Sequence, residues 1–345
     1  MPTLSTAPGR LRWKVAPQDP AERDRLAVAL GIHPVVAQVL VNRGYVDSDS
    51  ASRFLDAPLD ALNDPETVVD LPLAADRLAS AIRARERVTI YGDYDADGVT
   101  ATTILLRGFR ALGASPEFYI PSRFNEGYGI NSAALNRIAD GGTRIVVSVD
   151  CGVSAVEEIA QARARGLEII VVDHHEPGPV LPPAHAVVDP KRDGASTFRE
   201  YSAAGLAFQL LRAVRHRLGH ADLPIDVLEL AALGTIADVV PLVDDNRILA
   251  RHGLAKMETT KILGLSALIR AAGLSGPVSA RQVGFSLGPR INAAGRLGDA
   301  TVAVHLLTTD DPVEAEAIAQ QLDGENRRRR ELCDQVLAEA VEQVE

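Results

Sequence analysis

Four short stretches carry side chains able to bind a cation and act on a phosphoester. Asp93, Asp95 and Asp97 alternate in the string DYDADG at 93–98. In extended or loop backbone alternate side chains point the same way, so these three acids converge. Carboxylates so placed repel one another unless a cation neutralises them. The string also looks like a calcium-binding helical-hairpin loop, but the twelfth position counted from Asp93 is Ile104 where that loop needs Glu, and a strand precedes it. Asp150 ends the apolar run RIVVSV at 144–149, Asp173-His174-His175-Glu176 ends LEIIVV at 167–172, and Asp238 lies in GTIADVVPL at 234–242. Carboxylate oxygens with one or two imidazoles suit Mn²⁺ or Mg²⁺, with Mn²⁺ favoured by the histidine. Zinc is a borderline fit, since no cysteine pair with zinc-finger spacing exists. Two divalent ions bridged by one carboxylate would clamp a phosphoryl group and activate water, so a phosphoester or phosphoanhydride hydrolase is the physical default. Cys151 adjoins the cluster without a base partner and reads as a small buried residue.

Positioning these groups requires strands that end at one edge. RVTIY (87–91), FYI (118–120), RIVVSV, LEIIVV and the edge run HAVVD (185–189) are short and aliphatic, and helical patterns at 99–112 and 154–165 separate some of them. Such alternation predicts an α/β fold with a mostly parallel sheet flanked by helices. Ligands gather at the carboxyl ends of such strands, where the acids and imidazoles lie. From Ser202 onward the pattern is helical, over 202–218, 224–236, 243–257, 262–273, 279–287, 300–307 and 312–345. Residues 1–18 read as a loose arm broken by Pro2, Pro8, Gly9 and Pro17, followed by helical pattern to about 85. The expected division is an N-terminal arm and helical segment (1–85), a catalytic α/β domain (86–245) and a helical extension (246–345).

Composition sets outer bounds. The 345 residues are 46% apolar and 24% charged, enough for a sizeable core and against disorder. A net charge of -10 excludes a wholly basic nucleic-acid coat but leaves room for a local basic channel. Aromatics at 4% argue against extended base stacking across a sheet face. Two cysteines cannot form a disulfide scaffold, no apolar run approaches membrane length, and the amino end lacks a signal-peptide core. A cytoplasmic protein without a membrane segment is expected.

The stretches YGDYDADG (91–98), SVDCG (148–152), VVDHH (171–175) and GTIADVVPL resemble the four motifs of the DHH phosphoesterase superfamily. Within it, DYDADGVTAT, PSRFNEGYGI, DHHEPG, YSAAGLAF and LGPRINAAGR resemble the RecJ family of bacterial single-strand-specific exonucleases over about 86–345. The resemblance implies a DHH-type fold and Mn²⁺- or Mg²⁺-dependent hydrolysis of single-stranded DNA from the 5′ end. Mononucleotides would be released, and the setting would be DNA repair and recombination. It implies Asp95 and Asp150 as ligands of one ion, and Asp97, Asp150, His174 and Asp238 as ligands of a second, Asp150 bridging. Pyrophosphatase relatives carry a histidine where Tyr91 stands, and Asp93 is the nearest substitute ligand. His175 would face the scissile phosphate, and Asp173 would orient the histidines. A monomer is expected, with a helicase and a single-strand-binding protein as candidate partners. Such enzymes also carry a second substrate-binding domain with a Gly-Gly-His signature, which these 345 residues lack. A complete metal centre with a weakened grip on substrate is therefore expected.

Basic and polar residues near the motifs are the candidate substrate contacts. PSRFNEGYGI places Arg123, Asn125 and Tyr128 in a loop after the second strand, and Arg matches phosphate through its fixed fork. LGPRINAAGRLGD (287–299) reads as a glycine-rich polar loop offering Arg290, Asn292 and Arg296. Arg327–Arg330 point around a whole helix and read mainly as a solvated face. Two other functions compete with the exonuclease. One is a small-substrate DHH phosphodiesterase acting on nanoRNA or cyclic dinucleotides, and the other is a nucleic-acid-binding fragment without turnover.

Overall fold

The computed structural model describes residues 14–123, 125–192, 194 and 196–344. Most of the expected N-terminal arm (1–13) and Phe124 of the PSRFNEGYGI loop lie outside them. The chain forms two compact units, Met1–Pro58 and Leu59–Glu345. The first contains helices α1 (Pro20–Leu30), α2 (Pro34–Asn42) and α3 (Ser48–Asp56). Asp19 accepts the Glu22 amide and Asp47 the Ser50 amide, capping α1 and α3, and Leu26, Ala27, Ala37, Leu40 and Ala51 form the core.

The second unit opens with two 3₁₀ turns, Leu59–Ala61 and Pro65–Thr67, and α4 (Leu71–Ala84), then runs through β1 (Val88–Tyr91), α5 (Ala96–Ala111), β2 (Glu117–Tyr119), α6 (Ser132–Asp140), β3 (Ile145–Val149), α7 (Val156–Ala164), β4 (Glu168–Val172) and β5 (Ala186–Val188). The five strands form one parallel sheet in the order β2-β1-β3-β4-β5. β1, β3 and β5 are buried throughout, and β4 is buried beyond Glu168, which is why these strands read as continuous aliphatic runs. Val146, Ile169, Val171 and Val187 face a layer built with Leu135, Ile138, Ile159 and Ala162 of α6 and α7. The helix α8 (Ala203–Arg217), with α5 and α4, covers the other face. α4 falls in the expected N-terminal segment, yet it packs against α8 and β5 through an apolar face that includes Ala74, Leu78 and Ile82.

The helical remainder continues from α8 through α9 (Leu228–Ala237), α10 (Asp244–Met257), α11 (Leu263–Ala271) and the single turn α12 (Ala280–Gln282). A π-helical turn, Val283–Leu287, runs from α12 into α13 (Gly288–Leu297), followed by α14 (Thr301–Thr308) and α15 (Pro312–Val344). The expected loop over 287–299 is therefore mostly helix. Pro289 stands where the π-helical turn passes into α13, and Gly295 answers to packing rather than to a turn. α6 is an element missing from the sequence-based expectation, although Asn131 caps it and Ala134, Leu135 and Ile138 give it a helical face. Among the described residues no single helix is long and apolar enough to cross a membrane.

Candidate metal centre

The chain reverses its direction of travel across the sheet between the adjacent strands β1 and β3, and such a switch point opens a crevice at the carboxyl edge. Asp93 follows β1, Asp150 follows β3 and Asp173 follows β4, so three neighbouring strands deliver their first acids there. Pairing of Tyr91 with Ser148 and of Ser148 with Val171 keeps the three strand ends level.

The acid string is not the alternating loop expected from DYDADG. α5 begins at Ala96, so Asp95 is its N-cap and Asp97 lies in its first turn. Asp95 Oδ1 accepts the amides of Asp97 at 2.9 Å and Gly98 at 3.0 Å. The three carboxylates therefore divide between two groups. Ligand atoms of Asp93, Asp95 and Asp150 lie within 4.8 Å of one another, as do those of Asp97, His174 and Asp238. Asp150, His174 and His175 form a third such set. His174 Nε2 lies 3.1 Å from Asp150 Oδ1 and 3.8 Å from Asp97 Oδ2, while its Nδ1 lies 3.8 Å from Asp238 Oδ2. His174 and Asp150 thus join the two acid groups.

Backbone amides or backbone conformation position several of the acids. Asp97 is buried, and its two oxygens accept the first amides of α8, from Ala203 at 2.6 Å and Ala204 at 2.9 Å. That helix terminus carries partial positive charge, which favours a carboxylate. Ser202, the N-cap of α8, signals this helix start in sequence, but nothing there announces that Asp97 is its partner. Asp150 adopts a left-handed backbone, φ 65°, a conformation that Asp tolerates better than most residues. Asp238 caps the carboxyl end of α9. Two glycines are required by close approach. A Cβ at Gly98 would stand 2.7 Å from Asp93 Cβ, and one at Gly234 would stand 2.6 Å from Asp97 Oδ1.

Asp173 organises the histidine pair. Its Oδ1 accepts the His174 amide at 2.8 Å and lies 2.7 Å from His175 Nδ1, and its Oδ2 accepts the Val153 amide at 2.9 Å. Burial opposes its ionisation, but these bonds, led by that from His175, hold it below the ordinary carboxylate range. The same bond to Asp173 raises His175. Burial, with His175 adding to it, pushes His174 down to about 4, so it is a neutral donor of the kind metals take.

Asp93, Asp97, Asp150 and Asp238 are held far from their usual ionisation. Burial, then Asp95, pushes Asp93 up to about 7, and burial with Asp95 takes Asp238 to about 6. Burial, Asp238 and Asp95 raise Asp97, and burial, Asp95 and Asp97 raise Asp150. Asp93 Oδ1 is buried without a hydrogen-bond partner. An unpaired buried oxygen among carboxylates that resist ionising together, beside a neutral imidazole, is a donor set that fits hard divalent cations such as Mn²⁺ or Mg²⁺.

The candidate substrate residues separate into two kinds. Tyr128 is 59% exposed, and its hydroxyl is 3.5 Å from His175 Nε2. Its ring meets that of Tyr94 edge-on at 6.3 Å, and the Arg123 guanidinium lies over the Tyr94 ring at 5.2 Å. Asn125 and Arg296 are exposed. Burial and Asp93 raise the Tyr94 phenol while Arg123 and Arg296 pull it down, so both arginines flank the acid loop. Arg290 and Asn292 instead have protein partners. Arg290 is buried, with Nε and Nη2 on Asp323 of α15 at 3.0 and 2.8 Å and Nη1 on the Ser286 carbonyl. Asn292 Oδ1 accepts the Ala96 amide at 2.7 Å.

Comparison with known proteins agrees with this architecture at two levels. A family model described as DHH family, N-terminal domain, matches residues 87–235, the stretch that supplies every acid and imidazole of the centre except Asp238. The chain is 43% identical to the single-stranded-DNA-specific exonuclease RecJ of Bacillus subtilis over 338 residues, which are 97% of this chain and 42% of that protein. It is 38% identical to the protein of the same name from Thermus thermophilus, over 97% of this chain and 48% of that one. A crystal structure of exonuclease RecJ bound to manganese superposes with a TM-score of 0.77 at 41% identity, covering 83% of this chain and 72% of that one. The Mn²⁺ complex of the Thermus thermophilus RecJ gives 0.83 at 36% identity, over 95% of this chain and 47% of that one. The chain belongs to the RecJ family. It spans less than half the length of these two curated relatives.

Proposed function

We propose that the chain hydrolyses phosphodiester bonds of single-stranded DNA from the 5′ end, releasing mononucleotides, with two divalent cations, Mn²⁺ or Mg²⁺, held at the strand ends. The observation that carries this is the pair of donor groups, Asp93/Asp95/Asp150 and Asp97/His174/Asp238, lying side by side with Asp150 touching His174. Support comes from relatives named as single-stranded-DNA-specific exonucleases and from their manganese-bound structures. When bound, the cations supply Lewis-acid polarisation of a phosphate and acidify water. Asp150, a member of the first group in contact with His174 of the second, would be a ligand shared by both ions. Asp173 holds the His175 imidazole through Nδ1, leaving Nε2 to hold a proton toward the phosphate being cleaved. The exposed ring of Tyr128 offers a base a stacking surface, and Arg123, Asn125 and Arg296 contact the strand through its phosphates and sugars.

Strand selectivity comes from access, because backbone contacts are indifferent to sequence and no element among the described residues serves as a major-groove recognition helix. In this scheme residues 86–245 are the catalytic domain, 246–345 its helical extension, and 1–85 an N-terminal segment. The setting is cytoplasmic DNA repair and recombination, with the chain acting as a monomer and meeting a helicase and a single-strand-binding protein. The test is a time course on end-labelled 5′-tailed, 3′-tailed and blunt DNA and on short RNA, with Mn²⁺, with Mg²⁺ and with chelator. Trimming of the 5′ tail that stops in chelator is expected. Equal digestion of the blunt duplex, or preference for the 3′ tail, overturns the proposal. Cleavage of short RNA alone would make the chain a small-substrate phosphodiesterase.

A further inference from the structure

We propose that Asn292 is a positioning residue for the metal centre: from α13 it fixes the first turn of α5, and with it the carboxylates of Asp95 and Asp97. The inference rests on the metal-centre reading above and assigns a role to a residue that touches none of the proposed ligands.

The first amides of a helix have no partner within it, and Ala96 is the first residue of α5. Asp95 Oδ1 satisfies the next two, those of Asp97 and Gly98. The Ala96 amide itself points out of the helix and is taken by Asn292 Oδ1 at 2.7 Å, from a residue 196 positions away. The peptide so held lies between the two acids. Asp95 belongs to one donor group and Asp97 to the other, so one bond sets the orientation of a turn that serves both.

Other contacts show that α13 is built to meet this turn. Residues 292, 295 and 296 share one helical face. Gly295 lies so close that a Cβ there would stand 2.7 Å from the Tyr94 carbonyl oxygen and 3.0 Å from Tyr94 Cβ. Tyr94 is the residue between Asp93 and Asp95. α13 therefore holds the acid string on both sides of Asp95, at Tyr94 by close packing and at Ala96 by a hydrogen bond. The helix is itself anchored away from the centre, where Arg290 pairs with Asp323 of α15. Rotation of the α5 first turn would carry Asp95 away from Asp93 and Asp150, and Asp97 away from His174. Groups that position metal ligands in this way characteristically change metal affinity by about 10–100-fold when removed.

A direct substrate contact and a positioning role predict different losses. Removing a phosphate contact weakens single-strand binding and lowers its salt dependence. Removing the Ala96 acceptor weakens metal binding and leaves the DNA terms alone. The experiment compares the parent chain with Asn292→Ala and Asn292→Asp. It measures Mn²⁺ affinity by calorimetry, oligothymidylate binding by anisotropy at several salt concentrations, and thermal unfolding of the metal-free proteins to establish that each is folded. For Asn292→Ala, Mn²⁺ affinity is expected to fall at least about tenfold with DNA affinity and salt slope unchanged. Asn292→Asp keeps an oxygen for the Ala96 amide and is expected to bind Mn²⁺ at least as tightly as the parent. Unchanged Mn²⁺ affinity in the alanine variant overturns the inference, as does a loss confined to DNA binding or a failure of aspartate to rescue. A parent chain that binds no Mn²⁺ overturns the metal reading and this inference with it, whereas equal binding by parent and alanine variant overturns the inference alone.

Discussion

Replacing Asp93 by Asn should make the metal-free protein more stable near pH 8 and less responsive to Mn²⁺. Burial and the Asp95 charge take this carboxyl from 3.8 to about 7. A shift of about 3 units corresponds to roughly 4 kcal/mol of penalty once the group is ionised. The folded state holds the proton more tightly than the unfolded chain does. The contribution of Asp93 to stability is therefore largest below about pH 4, declines as the pH rises toward about 7, and is level above that. Asparagine removes the penalty, but its amide must find partners where Asp93 Oδ1 has none, at a cost of about 1–3 kcal/mol. The net gain near pH 8 is about 2 kcal/mol, or ~3 °C in Tm for a chain of this size. At pH 5 the penalty is only about 2 kcal/mol, close to the cost of the unpaired amide, so parent and variant should melt together. Differential scanning fluorimetry at both pH values, in chelator and in saturating Mn²⁺, measures this. Saturating Mn²⁺ should stabilise the parent more than the variant. A variant no more stable than the parent at pH 8 in chelator, or an equal Mn²⁺ shift in both proteins, would refute the reasoning.

Asp150→Ala should lower turnover by about 10³, roughly 4 kcal/mol of barrier, with the fold retained, because one carboxylate faces both donor groups; single-turnover assays in saturating Mn²⁺ check it. Gly234→Ala sets a Cβ 2.6 Å from Asp97 Oδ1 and 2.3 Å from Thr100 Oγ1. The overpacking should cost about 1–3 kcal/mol in denaturant melts and weaken Mn²⁺ binding, outweighing the helix-propensity gain of about 1 kcal/mol. Arg290→Ala and Arg296→Ala should part company. The first leaves Asp323 with Arg327 as its remaining partner and should destabilise by roughly 2–4 kcal/mol. The second should raise KM and reduce the salt slope of DNA binding by about 1 while leaving Tm unchanged.

Much of the centre was legible because strand ends are a local signal. Asp150 and Asp173-His174-His175 each follow a short, largely aliphatic run, and a parallel sheet buried on both faces writes such runs plainly. The parallel sheet, its edge strand near 186–188 and the helical remainder follow from the same periodicities. What was hidden is contact across long sequence separation. Asp97 is held by amides 106 and 107 residues away, and Ala96 by Asn292. Gly288, Gly295 and Gly298 read as permitting close backbone approach within a loop; Gly295 makes that approach, to Tyr94, from inside a helix. The DYDADG string misleads for the opposite reason. Alternation in sequence suggests one shared face, but the helix starts within the string and sends Asp97 to a different group from Asp93 and Asp95.

Anomalous diffraction from Mn²⁺-soaked crystals tests the two-ion centre most directly. The expected result is two peaks about 3.5–4 Å apart, the separation of two-metal phosphoryl-transfer sites. One should lie against Asp93, Asp95 and Asp150, the other against Asp97, Asp150, His174 and Asp238. A single peak, or two peaks neither of which touches Asp150, would contradict it.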